Sequence, residues 1–140
     1  ALAMDKVRCK RLWENLELNT PPFTVLDDNT EWQKVVDTLG TVFVKPVKEG
    51  SSIGISKVAD PEALKKAYLE ARQYDNTVIA EKFVDGPEYT VAILGDKVLP
   101  VVGMQAENEF YDYEAKYFSD TTRYFCPCDL DEESEAELKR

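Results

Sequence analysis

The sequence predicts an α+β fold, antiparallel sheets with packed helices, and three observations predict it. Apolar residues recur at helical spacing in three segments bounded by start or stop signals. Short β-branched and aromatic runs lie between and after them, several joined by tight turns, as antiparallel neighbours are. The regular strand-helix-strand alternation of a doubly wound parallel sheet does not occur. With 140 residues, 44% of them hydrophobic and 31% charged, the chain is long enough to bury a core as one domain or two small lobes.

Each element has a local cause. Asp5 to Leu16 carries Val7, Cys9, Leu12, Trp13 and Leu16 as a helical stripe among Lys and Arg. Pro21 and Pro22 end it and force extended backbone before a short strand, Phe23 to Leu26. Thr30 and Gln33 are spaced as a capping box ahead of Trp32, Val35, Val36 and Leu39, with Gly40 as the stop. "TVFVKPV" is a strand, and "IGISKV" is its return after a glycine-serine turn. Asp60, Pro61 and Glu62 start a third helix that presents Ala63, Leu64, Ala67, Tyr68 and Ala71. "TVIAEKFV", "EYTVAILG" and "KVLPVVGMQ" then read as strands, the last two joined at Gly95-Asp96.

Composition narrows the function. A net charge of −10 without histidine repels nucleic acid and anionic membranes, while a local basic pocket can still hold a small anion. The acidic tail "DLDEESEAELKR" reads as a solvated helix face. Cys126 and Cys128 are too close in "CPC" to pair, and Cys9 alone does not complete a zinc site with them. A reducing, cytoplasmic setting is expected, since neither a membrane span nor a secretory signal is visible. The chain opens in helix-like sequence and closes inside another helix-like stretch, as expected of a piece of a longer protein.

The stretch "KPVKEGSSIGIS", Lys45 to Ser56, admits two readings. Its turn can offer successive backbone N–H groups to a phosphate, with Lys45 and Lys48 adding charge. Glycine and serine serve a plain hairpin equally well, and the order of lysine and glycine is not that of the P-loop. Glu81 is open in the same way, as a site residue or as a solvated carboxylate on an edge strand. "FYDYEAKYFSD" is neither a clean helix nor a clean strand. Its aromatics Phe110, Tyr111, Tyr113 and Tyr117 suit a packed surface loop.

Four stretches in order, "MDK", "VKP..EGSSIGISKV", "IAEKFVDGPEYTVAILG" and "FYDYEAKY", together resemble D-alanine-D-alanine ligase, a family of the ATP-grasp superfamily, over essentially the whole chain. The resemblance implies an ATP-grasp small central lobe over residues 1–86. Residues 87–140 would begin the large lobe, including the active-site loop. It implies that Lys6 and Lys45 reach the α- and β-phosphates of ATP and that Gly50, Ser51 and Ser52 close over the γ-phosphate. Glu81 would accept from the adenine amine, the backbone of Lys82 and Val84 would read the ring edge, and Glu88 would hold the ribose. Lys116 would approach the transferred phosphate, with Tyr117 bonded to Ser51.

The implied reaction joins two D-alanines through an acylphosphate, for peptidoglycan precursor synthesis, with Mg2+ whose family ligands lie beyond Arg140. The chain alone is therefore expected not to catalyse ligation. The family implies a homodimer. Glu17 and Asn19 stand where the family usually reads like Gly-Leu-Pro, so a glycine helix cap is not expected there, and Gly103 stands where a basic residue is common. Two other readings stay open. One is an excised or engineered stand-alone domain that self-associates through an uncovered apolar sheet face. The other is a different ATP-grasp ligase, against which "FYDYEAKY" argues.

Overall fold

A computed structural model describes residues 2–105 and 123–139 and resolves the chain into two compact units, Ala1–Val84 and Asp85–Arg140. The first unit runs from a single 3₁₀ turn, Leu2–Met4, through α1 (Lys6–Asn15), β1 (Phe23–Leu26), α2 (Trp32–Leu39) and β2 (Val42–Pro46). It closes with β3 (Ser56–Val58), α3 (Pro61–Ala71) and β4 (Val78–Lys82). Its sheet has the order β1-β4-β2-β3 with every neighbouring pair antiparallel.

Side chains alternate across a strand, so each strand divides its residues between the two faces. Val42 and Val44 of β2 join Val78 and Ala80 of β4 in a core with Leu39 of α2 and Leu64, Ala67, Tyr68 and Ala71 of α3. Burying each large aliphatic there contributes roughly 1.5–3 kcal/mol. The opposite parity carries Phe43 and Lys45 of β2, and Ile79 and Glu81 of β4, to the other face. Tyr68 is buried, yet its hydroxyl donates to Asp28 Oδ1 (2.9 Å) and accepts from Arg72 Nη1 (2.7 Å). Burial, then the Asp28 bond, raises its pKa above the ordinary phenol value.

The start of α3 forms as its sequence predicts. The Asp60 carboxylate accepts from the Glu62 and Ala63 amides (3.1 and 2.9 Å), and Pro61 occupies the first turn. The Thr30–Gln33 capping box does not form. Glu31 is the N-cap of α2, without a side-chain bond, because the Thr30 hydroxyl instead accepts from the Asp27 amide (2.8 Å) and closes a local turn. Gln33 bonds to Asp37 further along the helix. The return strand after the glycine-serine turn is also shorter than "IGISKV", since Ile53 and Ile55 donate to turn carbonyls instead of joining the ladder.

At the exit of α1 the Glu17 amide donates to Glu14 O (3.1 Å) and the Leu18 amide to Trp13 O (2.9 Å). This is the Schellman pattern, which needs a left-handed residue, and Glu17 supplies it at φ 56°. A non-glycine residue there costs roughly 1–2 kcal/mol, partly offset by glycine's larger unfolded-state entropy. Glu17→Gly is therefore expected to stabilise the first unit by about 0.5–1 kcal/mol, read as a higher urea midpoint. A lowered midpoint would show that the Glu17 side chain contributes more than its strain costs.

The second unit comprises β5 (Glu88–Leu94), β6 (Lys97–Gln105), β7 (Arg123–Phe125) and α4 (Glu132–Leu138). Its sheet has the order β5-β6-β7, antiparallel throughout, with Gly95 at φ 60° in the first turn and an irregularity between Val91 and Ile93. Val101 is its fully buried centre. Asp131 caps α4 by accepting from the Ser134 amide (2.8 Å), and none of the helix residues is buried. No helix among the described residues is long and apolar enough to cross a membrane.

Candidate functional site

The face of the first sheet opposite its core gathers opposite charges. Phe43 and Glu81 are direct cross-strand partners, as are Lys45 and Ile79, so Lys45 and Glu81 stand diagonally across β2 and β4. The Lys45 ammonium bonds to Glu81 Oε1. From α1, Lys10 Nζ reaches Glu81 Oε2 at 2.7 Å and donates to Thr20 Oγ1 at 2.6 Å. β4 lies inside the sheet, and the Glu81 side chain is 15% exposed, so the edge-strand reading of Glu81 does not describe this geometry. Burial alone would raise its pKa, but Lys45 and Lys10 outweigh burial and hold the carboxyl below its ordinary value.

That lowered pKa has a signed consequence. The stabilisation it brings is fully present above the unfolded value of 4.5 and is lost as pH falls through the folded value. The stability difference between the parent chain and Glu81→Gln is thus expected to shrink from about pH 7 to about pH 3 in urea titrations. A difference that stays constant would mean that Glu81 is not held ionised by its lysines.

Lys6 has a different surrounding. Its Nζ donates to the carbonyls of Pro46 (3.0 Å), Val47 (3.4 Å) and Glu49 (2.5 Å), which takes all three ammonium donors, and its amide donates to Val47 O (3.2 Å). Burial, then the neighbouring Lys45 charge, lowers its pKa, while Glu49, Glu81 and Asp75 oppose the shift. Lys6 therefore ties α1 to the segment that leaves β2.

That segment holds the turn. The Ile53 amide donates to Gly50 O (3.0 Å), and the two central residues, Ser51 and Ser52, have φ 51° and 62°. Positive φ at both central positions marks a type I′ turn, which normally takes Asn and Gly. Two serines held there cost roughly 1 kcal/mol each, strain that persists where surrounding contacts fix the backbone. Those contacts include Lys6 and the Lys48 amide, which donates to Asp75 Oδ2 (2.8 Å).

Lys82 and Val84 follow on the same unit. The Lys82 amide donates to Pro22 O (2.9 Å), and Val84 is exposed. The rings of Phe43 and Phe83 meet edge to face at 5.5 Å, with Lys57 Nζ 3.9 Å from the Phe83 centroid. Glu88 belongs to the second unit, where it is exposed at the start of β5 and pairs with Met104. Lys116 and Tyr117, with the aromatics Phe110, Tyr111 and Tyr113, lie outside the described residues.

Sequence reasoning missed Lys10. It is 2% exposed, the one buried charged residue among those described. A signal existed: Lys6 and Lys10 sit four apart on one helix face, a like-charge spacing that is mildly unfavourable in isolation and is relieved by a shared acid.

An antiparallel sheet with α2 and α3 on one face, and on the other a lysine-carboxylate cluster completed from α1 beside a strained turn, is the construction of an ATP-grasp ligase lobe. It matches solved ligase structures. The VanG D-Ala:D-Ser ligase from Enterococcus faecalis superposes with a TM-score of 0.82 at 30% identity, covering 99% of this chain and 43% of that one. A family model described as "D-ala D-ala ligase C-terminus" matches residues 12–140, and the chain belongs to that family. It is 50% identical to the D-alanine–D-alanine ligase of Chromohalobacter salexigens over 139 residues and 49% identical to that of Saccharophagus degradans over 140. These matches cover 99% of this chain but 44% and 45% of those relatives, so the chain spans less than half of their length.

Proposed function

We propose that the first unit is the central ATP-grasp lobe of a D-alanine-D-alanine ligase and that its charged sheet face binds ATP. The observation that carries this is the Lys45–Glu81–Lys10 cluster beside the Gly50–Ser52 turn in a chain of net charge −10. Lys45 keeps two donors beyond the one given to Glu81, and these oppose phosphate repulsion. Lys6 joins them by exchanging a carbonyl for a phosphate oxygen. The Gly50–Ser52 turn covers the terminal phosphate. The Glu81 carboxylate retains lone pairs for an exocyclic amine, with Phe43 and Phe83 as an apolar wall for the base. Since the Lys82 amide is engaged by Pro22, reading of the base by Lys82 falls to its carbonyl, and the Val84 amide adds to it. The ribose is assigned to Glu88, and the transferred phosphate to Lys116 with Tyr117.

In the complete protein a D-alanine carboxylate attacks the γ-phosphorus and ADP leaves. The amine of a second D-alanine then attacks the acylphosphate carbon and expels phosphate. Among the described residues no three acidic or cysteine side chains converge on a metal, and the ligands of Mg2+ are read as those that the family carries beyond Arg140. A reaction that consumes ATP in this way belongs to the cytoplasm. The homodimer is part of the same reading, and mass by light scattering against concentration tests it.

The nucleotide assignment is tested by calorimetric titration of the chain with Mg-ATP at low salt, where phosphate contacts are least screened. Saturable binding is expected. No heat and no thermal shift at millimolar nucleotide would leave the Lys45–Ser56 segment a hairpin connection without a ligand.

A further inference from the structure

Building on the nucleotide-site reading, we propose that Lys10 is a positioning residue that holds the Glu81 carboxylate in place, so that the site prefers a 6-aminopurine nucleotide to a 6-oxopurine one.

An ammonium withdrawn from water costs several kcal/mol unless its donors are satisfied. Lys10 meets that condition without any ligand. Its Nζ has Glu81 Oε2 at 2.7 Å, Thr20 Oγ1 at 2.6 Å and the Phe23 ring centroid at 5.2 Å. The two lysines on Glu81 are therefore unequal. The Lys45 side chain is 19% exposed and the Lys10 side chain 3%. An arriving phosphate competes with Glu81 for Lys45, whereas Lys10 is closed off and stays.

The consequence falls on the two carboxylate oxygens. Oε1, which faces Lys45, is partly released as Lys45 leans toward phosphate while sharing one donor with it, and Oε2 remains pinned by Lys10. Without Lys10, a half-released Glu81 in a largely buried position would tend to take up a proton, because burial is the largest influence on it. A pinned carboxylate can only accept, so it bonds an amine at purine position 6 and repels a carbonyl there. A protonated Glu81 could donate to the carbonyl as well as accept from the amine, and a rotated one would select for neither. Base preference thus depends on a residue that never touches the base.

The charged groups facing Glu81 are Lys10 and, more distantly, Lys6 from α1, and Lys45 from β2. Lys10→Met removes the charge in a similar volume. Thr20→Val is a milder variant that removes the second acceptor of Lys10. Two readouts are taken on each: the carboxyl-carbon NMR titration of Glu81 without nucleotide, and the ratio of Mg-ATP to Mg-ITP affinity by calorimetry. Lys10→Met is expected to raise the Glu81 midpoint and to reduce the ATP preference about tenfold, the size of one charge-assisted hydrogen bond. Thr20→Val should move both readouts the same way by less.

A folded Lys10→Met that keeps the parent's ATP:ITP ratio overturns the proposal, whatever its Glu81 midpoint does. Should Lys10→Met fail to fold, an unchanged ratio in Thr20→Val overturns it instead. A parent chain that binds neither nucleotide overturns the nucleotide-site reading itself, and this one with it. That outcome is told apart from the others because it appears before any substitution.

Discussion

Lys45→Ala is expected to weaken Mg-ATP binding by about ten- to a hundredfold while leaving the chain folded. The first half follows from donors. An ammonium carries three, Glu81 takes one, and the others would face phosphate, each charge-assisted bond contributing roughly 1.5–3 kcal/mol. At about 1.4 kcal/mol per decade, one such bond accounts for the expected range. The second half follows from the arrangement around Glu81. Removing one partner of a buried pair is costly when the other charge is stranded, but here Lys10 remains on Oε2 at 2.7 Å. Calorimetry at low and high salt, with circular dichroism for the fold, checks both halves. An affinity that does not change would place the phosphates elsewhere.

The same pair shows how much of the site was legible. Alternation in "TVFVKPV" and "TVIAEKFV" assigns Lys45 and Glu81 each to a face, because the side-chain period of a strand is two. That the two faces coincide depends on β2 pairing with β4, a long-range register that no local pattern encodes. The same register puts β4 between β1 and β2, which is why Glu81 is largely buried and not on an edge. Lys10 was hidden for a related reason. Its partners, Thr20 and Glu81, come from a loop and a distant strand, so its sequence neighbours show a surface lysine.

Local signals succeeded where one interaction dominated and failed where two competed. Asp60 with Pro61 has no rival for the start of α3, and it forms. Thr30 can cap a helix or close the turn begun by Asp27, and the turn wins. Glycine at the α1 exit is replaced by Glu17, yet the Schellman bonds form, because the backbone bonds outweigh a strain of about 1 kcal/mol. Composition likewise showed that residues 50–52 make a turn but not that both serines carry positive φ, since serine is an uncommon occupant of either position.

The largest effect on stability is expected at the end of that turn. Gly54 has φ 67°, and a Cβ added there would lie 2.7 Å from Tyr74 Cδ2 and 2.9 Å from Pro46 Cγ. Left-handed backbone costs an alanine roughly 1–2 kcal/mol, and overpacking typically adds 1–3. The Tyr74 ring is half exposed and can turn aside, but Pro46 is buried at the end of β2 and its ring cannot. Gly54→Ala should therefore destabilise by about 2–4 kcal/mol. Gly50, four residues earlier, gives the control: no atom lies within 4 Å of its added Cβ and its φ is not in the left-handed range. Gly50→Ala should be neutral or stabilise by up to about 1 kcal/mol through the unfolded chain. Urea unfolding of the two variants makes the comparison within one loop. Because Pro46 adjoins Lys45, the clash at residue 54 should also disturb the lysine, so Gly54→Ala is expected to lose Mg-ATP affinity even below its unfolding midpoint. Equal stability for the two variants would mean that the loop repacks freely against β2, and the paired positive-φ serines would then have no rigid support to hold them ready for a phosphate.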